Sequence, residues 1–343
     1  MVELSPAYAP LPGLVGGALI GAICVARLHA SGRLSGLALS SLFVPGLVLG
    51  GAYVVFRSGG SGAFEAYDRS VSLPRLAAAG ALVGVGVPLG GGCTSGNGVQ
   101  GLGCLSAAGL VNVVAFMTAA AAVASLAGSS DAVLAFSRES AETPWVLAVP
   151  AAIGAMGQTP VARASPAAAD VLAGGAFACA LALSGMTRPS KVLGFLEPGR
   201  ADGWDPTLAF VMGGAVAVSL PGIRGLEVLG RYPRVARWAG RDVTPATVLG
   251  GVLFGAGWGL AGACPCPALA AAGAALFAGG PAAAATAPCA FAGTMVGTAL
   301  IATPLLASPM AAAEARVYQR LLVVAAACAL AFNVYTILEL IGQ

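Results

Sequence analysis

The 343-residue sequence predicts an all-α polytopic membrane protein, and three observations predict it. Hydrophobic residues make up 58% of the chain and charged residues 9%, against about 45–50% and 25% in an average soluble domain. The mean hydropathy of +0.88 means that the outer surface must itself be apolar. Apolar runs of about 20 residues, the length that crosses a hydrocarbon core, recur along the chain. The 50 glycines follow no Gly-X-Y period. That excludes collagen and fits membrane helices, where glycine lets backbones approach closely.

Taken in order, nine full spans are expected near 12–30, 37–57, 74–92, 105–127, 167–187, 205–221, 245–263, 284–307 and 319–341. Segments 144–157 and 266–279 are apolar but too short to cross alone. They read as half-helices or re-entrant pieces, whose backbone is tolerated only where it is buried in protein or lines a cavity. Broken segments of this kind are where transporters place their sites.

The formal net charge is +3, and no basic stripe with interleaved aromatics is present, so nucleic-acid binding is excluded. No Lys or Arg precedes the first apolar run, so the basic region of a cleaved signal peptide is missing and the first span is expected to stay. The Lys and Arg residues fall between or at the ends of spans, as with Arg57, Arg69, Arg75, Arg231, Arg234, Arg237 and Arg241. They read as solvated loop residues. His29, beside Arg27 and Arg33, reads as interfacial, and Asp170 and Glu339 lie near span ends where water reaches them. The eight cysteines, Cys24, Cys93, Cys104, Cys179, Cys264, Cys266, Cys289 and Cys328, fall mostly within apolar runs. Free thiols are expected there rather than a disulfide framework.

The chain also matches itself. Residues 16–36 align with 174–194, pairing Gly16, Gly17 and Ala18 with Gly174, Gly175 and Ala176. Residues 80–95 align better with 251–266, pairing Gly80, Leu82, Gly84, Gly86, Leu89, Gly91 and Cys93 with Gly251, Leu253, Gly255, Gly257, Leu260, Gly262 and Cys264. Two halves, 1–160 and 161–343, follow as the expected organisation: a single integral membrane domain built from an N-terminal and a C-terminal repeat, with the site at the repeat interface.

Both better-matched segments carry the same chemistry. In 84–106, Gly90, Gly91 and Gly92 end a helix, and Thr94, Ser95 and Asn97 supply polar caps before a new helix starts near Gly101. A glycine-rich turn feeding a helix N-terminus presents backbone N–H groups and a partial positive charge, so it favours an anion without a basic side chain. Cys93 sits at that mouth, with Gly96 in the turn. In 257–273, Gly262 and Cys264 are followed by Pro265, Cys266 and Pro267, which stop one helix and suit the first turn of another. Neutral S–H donors hold a soft anion weakly, as passage requires, whereas an arginine in the same dry pore would hold a dianion too tightly.

GGCTSGNG (91–98) resembles the GGCTSGHG hallmark, and GACPCPAL (262–269) the second-half GxCPGPAL-like hallmark, of the YeeE/YedE sulfur-transport family, which includes bacterial thiosulfate uptake proteins. The resemblance runs through both halves. It implies two inverted pseudo-twofold repeats with short buried half-helices around a central constriction, thiosulfate handed along cysteine thiols, and a small cytosolic TusA-like sulfur carrier as partner. Cys93 and Cys264 match the motif cysteines, and Cys24 is the candidate third. Asn97 stands where His is usual and Cys266 where Gly is usual. The expected function is a permease of the cell's inner (plasma) membrane for thiosulfate or a related small sulfur oxyanion, with no catalytic residue and no cofactor. The binding set is Cys93, Cys264, Cys24, Cys266, Thr94, Ser95, Gly96, Asn97, Gly92, Gly262 and Pro265. Two rival readings come from other chemistry. The Cys264-Pro265-Cys266 run suits a passive soft-metal permease; a membrane thiol oxidoreductase would need a C-x-x-C pair, which the chain lacks.

Overall fold

The computed structural model describes residues 9–31, 42–58, 63–65, 71–127, 145–156, 165–199, 203–230, 240–277 and 291–296. The expected span at 319–341 and most of that at 284–307 lie outside the described residues, as do the boundary between the halves, Cys289, Cys328, Arg33, Arg69, Arg231, Arg234, Arg237, Glu339 and the side chain of His29. Among the described residues the protein is helical and has no β-strand. The helices are α1 (Pro10–Ser31), α2 (Phe43–Ser58), α3 (Leu73–Gly90), a π-helical segment (Thr94–Gly101), α4 (Ala107–Leu126), α5 (Ala148–Met156), α6 (Pro166–Leu183), α7 (Pro189–Leu196), α8 (Thr207–Val228), α9 (Pro245–Ala261) and α10 (Pro265–Phe277).

Local sequence explains most of these boundaries. Five helices begin on proline, at Pro10, Pro166, Pro189, Pro245 and Pro265, a position whose N–H would have no helical partner in any case. Ser106 accepts the Gly109 amide at the start of α4, and Thr244 and Thr247 form a reciprocal capping box at the start of α9. α3 and α9 both end on a left-handed glycine, Gly91 with φ 72° and Gly262 with φ 64°.

Among the described residues, five helical stretches, Pro10–Leu28, Leu73–Gly101, Ala107–Leu126, Thr207–Val228 and Pro245–Leu276, are long and apolar enough to cross a membrane; α2 and α6 are apolar but shorter. Large apolar side chains such as Leu49, Phe56, Leu110, Val114 and Val149 face outward, as a lipid-facing surface requires. Glycine sets the packing. An added Cβ on Gly17 or Gly21 of α1 would stand 2.1 Å from the Val211 carbonyl oxygen or 2.3 Å from that of Ala215, so α1 and α8 lie backbone to backbone and run parallel. Gly46 and Gly50 of α2 meet Val171 and Ala178 of α6 in the same sense. Gly86 and Gly90 of α3 face Phe254 and Gly250, while Gly257 faces Ala79 and Val83, so α3 and α9 run antiparallel. Along α9, Gly251, Gly255 and Gly259 seat Asn112, Phe116 and Ala120 of α4.

The structure corrects one expectation about charge. Arg27 is not a solvated residue at a span end: it is 4% exposed, lies inside α1, donates from Nε to the Asp170 carboxylate of α6 at 3.0 Å and sits 4.5 Å from the Phe43 ring centre. Asp170 is correspondingly buried, not water-washed. An ion pair at this depth is sustained only because both partners are present.

Candidate functional site

The two segments singled out by sequence meet. After α3, the amide of Gly92 bonds back to the Val87 carbonyl at 2.9 Å. The chain then turns through Cys93, which is extended, into the π-helical segment. The helix expected to start near Gly101 thus begins earlier as a wide π turn, and α4 proper starts at Ala107. After α9, Gly262 turns the chain through Cys264 into α10. Because α3 and α9 are antiparallel, the two broken elements enter from opposite ends. They touch where the Thr94 hydroxyl lies 3.4 Å from Cys264 Sγ.

Around this contact is a cavity of about 490 Å³, including its solvent-open part. Cys93, Thr94, Ser95 and Val99 line one side, and Cys264, Pro265, Cys266 and Pro267 the other. Ile20 of α1, Phe177 and Leu181 of α6, Met186, and Leu208, Val211, Met212 and Ala215 of α8 close the ring. The wall is apolar, with three thiols and two hydroxyls as its polar side-chain groups. Cys93 Sγ lies 3.2 Å from the Ser95 hydroxyl, and Cys266 lines the same cavity. The six described cysteines are free thiols. Among the described residues no three of His, Cys, Asp and Glu gather closely enough to hold a metal ion.

The other residues read as site members are placed differently. Cys24 is outside the cavity lining; it is buried on α1 in the same core cluster as Cys93 and Cys266. Asn97 is fully buried and turned toward protein: its amide donates to the Gly92 carbonyl and to Asn112 Oδ1, both at 2.9 Å. Gly92 and Gly96 shape the turn without lining the cavity, and Gly262 lines a second, neighbouring cavity. Cys104 packs with Leu28 and Ile223 in a separate cluster, and Cys179 is buried in the main core. Trp258 is a core residue against Phe116 and Phe254, at ring-centre distances of 5.8 and 6.2 Å.

One residue was missed. Arg241, expected to be a solvated loop residue, donates to Asn97 Oδ1 at 2.9 Å, to the Gly91 carbonyl at 2.9 Å and to the Gly90 carbonyl at 3.3 Å. Burial pulls its pKa below the ordinary value. Asn112 extends the network by donating to the Thr247 carbonyl at 2.7 Å. No local signal in the sequence marks Arg241, because its partners lie about 150 positions away.

A model of a family of unknown function (DUF6691) matches residues 167–311. A protein of Xylella fastidiosa strain 9a5c named "Probable transporter" is 39% identical over 102 residues, which are 29% of this chain and 68% of that protein. Another of that name, from strain Temecula1 of the same species, is 32% identical over 130 residues, 34% of this chain and 93% of that protein. The chain belongs to this family of transporters. Each aligned stretch is a far larger share of the relative than of this transporter, so both relatives are less than half its length. As an integral membrane transporter it needs a route through its own core, and the cavity between the two broken helices is the candidate.

Proposed function

We infer that the transporter is a permease for thiosulfate or a related small sulfur oxyanion, which crosses at the constriction where Thr94 meets Cys264. The observation that carries this reading is the convergence of Cys93, Cys264 and Cys266 with the Thr94 and Ser95 hydroxyls in an otherwise apolar cavity. Thiosulfate pairs a soft terminal sulfur with hard oxygens. Neutral thiols offer weak S–H donors that suit the sulfur, and the hydroxyls, the amides that open the π-helical segment and, since Pro265 and Pro267 carry no N–H, the Cys266 amide of α10 suit the oxygens. Several weak donors in series let the anion enter without trapping it. The thiols stay protonated in this scheme, since a thiolate would repel the substrate.

An inverted two-half architecture fits this reading. It is supported by the antiparallel course of α3 and α9, whose glycines and cysteines align in sequence, and by the short length of the relatives. The proposed setting is the inner membrane, with delivery to a small TusA-like cytosolic carrier. The test is uptake of labelled thiosulfate by a host lacking its own transporter. Cys93→Ala and Cys264→Ala should each lower uptake at least tenfold, about 1.4 kcal/mol of barrier, and the serine variants should retain more. Uptake unchanged in both alanine variants overturns the relay, and no uptake in the unaltered protein overturns the substrate.

A further inference from the structure

A second cavity of about 350 Å³, including its solvent-open part, adjoins the constriction and shares Met186 and Pro267 with it. It lies at the end of the molecule where α3 begins and α9 finishes, an end fixed by the bond from Arg75 Nε to the Leu260 carbonyl at 3.1 Å. Its wall is made by Met186, Thr187 and Pro189, by Gly262 and Ala263, by Pro267, Ala268 and Ala271 of α10, and by Phe291. Among the described residues, Glu65 is the one ionisable side chain in that wall.

Residues 63–65 are held against the segment 187–190. Glu65 Oε2 accepts the Ser190 amide of α7 at 2.8 Å, and the neighbouring Ala63 carbonyl accepts the Thr187 hydroxyl. Among the described residues, the charged groups that act on Glu65 are Arg188, just before α7, and Lys191 in its first turn; the described parts of α10 and Phe291 present none to this cavity. Lys191 in turn donates to the Asp205 carboxylate at 3.2 Å. The formal charges of Glu65, Arg188, Lys191 and Asp205 cancel while Glu65 is ionised. An anion entering from this end then meets a fixed carboxylate in the cavity wall. If Glu65 takes up a proton the four groups carry +1, and an anion can take over the charge that the carboxylate supplied.

We propose that Glu65 is the proton-coupling gate of the permeation path: its carboxylate blocks the mouth of the constriction, and its neutral form admits one anion together with one proton. This rests on the anion-permease reading above and supplies its coupling ion. Burial raises the pKa of the Glu65 carboxyl, an effect that the Ser190 amide and hydroxyl, Arg188 and Lys191 offset in part. It therefore titrates nearer to neutral pH than an exposed glutamate.

The experiment uses the full chain in proteoliposomes with a trapped pH-sensitive dye and labelled thiosulfate outside. In the unaltered protein, influx should rise as external pH falls from 8 to 6, by up to tenfold per pH unit, the limit for one titrating group, and the lumen should acidify only when thiosulfate is added. Glu65→Gln should carry thiosulfate at a rate that no longer varies with pH and without acidifying the lumen. Glu65→Asp, which withdraws the carboxylate by one methylene, should keep proton coupling with a displaced pH midpoint, and it serves if the glutamine variant fails to fold. Influx that ignores pH in the unaltered protein, acidification that persists in Glu65→Gln, or an unmoved midpoint in Glu65→Asp each overturns the gate while leaving the permease reading intact. Absence of thiosulfate influx from the unaltered protein overturns the substrate and the gate together.

Discussion

Removing the Arg241 side chain tests whether the turn that carries Cys93 is held from outside the cavity. Arg241→Ala deletes at least three hydrogen bonds from a charged donor. In water-excluded settings such bonds contribute about 1.5–3 kcal/mol each. The bond to the Gly91 carbonyl is solvent-exposed, so water replaces it and it counts for little. The bond to Asn97 Oδ1 is short and half-buried, and leaves a buried amide oxygen behind; the one to the Gly90 carbonyl is long at 3.3 Å. The expected loss is then about 2–4 kcal/mol of unfolding free energy, read by denaturant titration in mixed micelles. A double-mutant cycle with Asn97→Ala should give a coupling of about 1–2 kcal/mol, because the two side chains touch directly. Uptake should fall as well, since Asn97 belongs to the same eight-residue π-helical segment as Thr94 and Ser95. Stability within about 0.5 kcal/mol of the unaltered protein, the range of a surface change, together with full uptake, would refute the latch.

Other consequences can be measured in the same preparations. Breaking the buried pair with Arg27→Ala or Asp170→Asn should cost about 3–5 kcal/mol, whereas Arg27→Met with Asp170→Leu should recover most of it, in unfolding titrations. Trp258→Phe should cost no more than about 1 kcal/mol, because removing the buried Nε1–H, which has no hydrogen-bond partner among the described residues, offsets much of the cavity left by the smaller ring. Gly51→Ala would bring a Cβ to 1.9 Å from the Ala270 carbonyl oxygen; forcing α2 and α10 apart should cost at least about 1–3 kcal/mol and lower uptake, since α10 carries Cys266. Glu65 binds a proton more tightly folded than unfolded. The stability it contributes should therefore be greatest below its ordinary pKa of 4.5 and decline as pH rises through the higher folded value, and Glu65→Gln should flatten that decline in a melting series.

What could be read from the chain was whatever chemistry is local. Gly91 and Gly262 are left-handed helix stops where the aligned glycines put them, and the thiols of Cys93 and Cys264 line one cavity. Spacing alone could place these because a helix end is decided within a few residues. Side-chain direction is a different matter: Asn97, expected at the substrate, turns away from the cavity, since Asn112, Gly92 and Arg241 all offer it partners on the other side. Arg27, Arg241 and Glu65 resemble ordinary loop or span-end charges until the helices that hold Asp170, Asn97 and Ser190 are brought beside them. Long-range pairing of this kind leaves no mark on composition or period.

The glycine contacts described between α1 and α8, α2 and α6, and α3 and α9 bear on how the path can respond. Two backbones already in van der Waals contact have no soft side-chain layer between them, so sliding one past the other would be resisted at once. Widening of the aperture then falls to rotamer changes in the wall, and Met186 and Met212, unbranched and flexible, are the residues placed to make them. Such changes are local, unlike the hinge motions of whole domains, and they let the aperture beside the Glu65 gate open side chain by side chain while the paired helices stay in place.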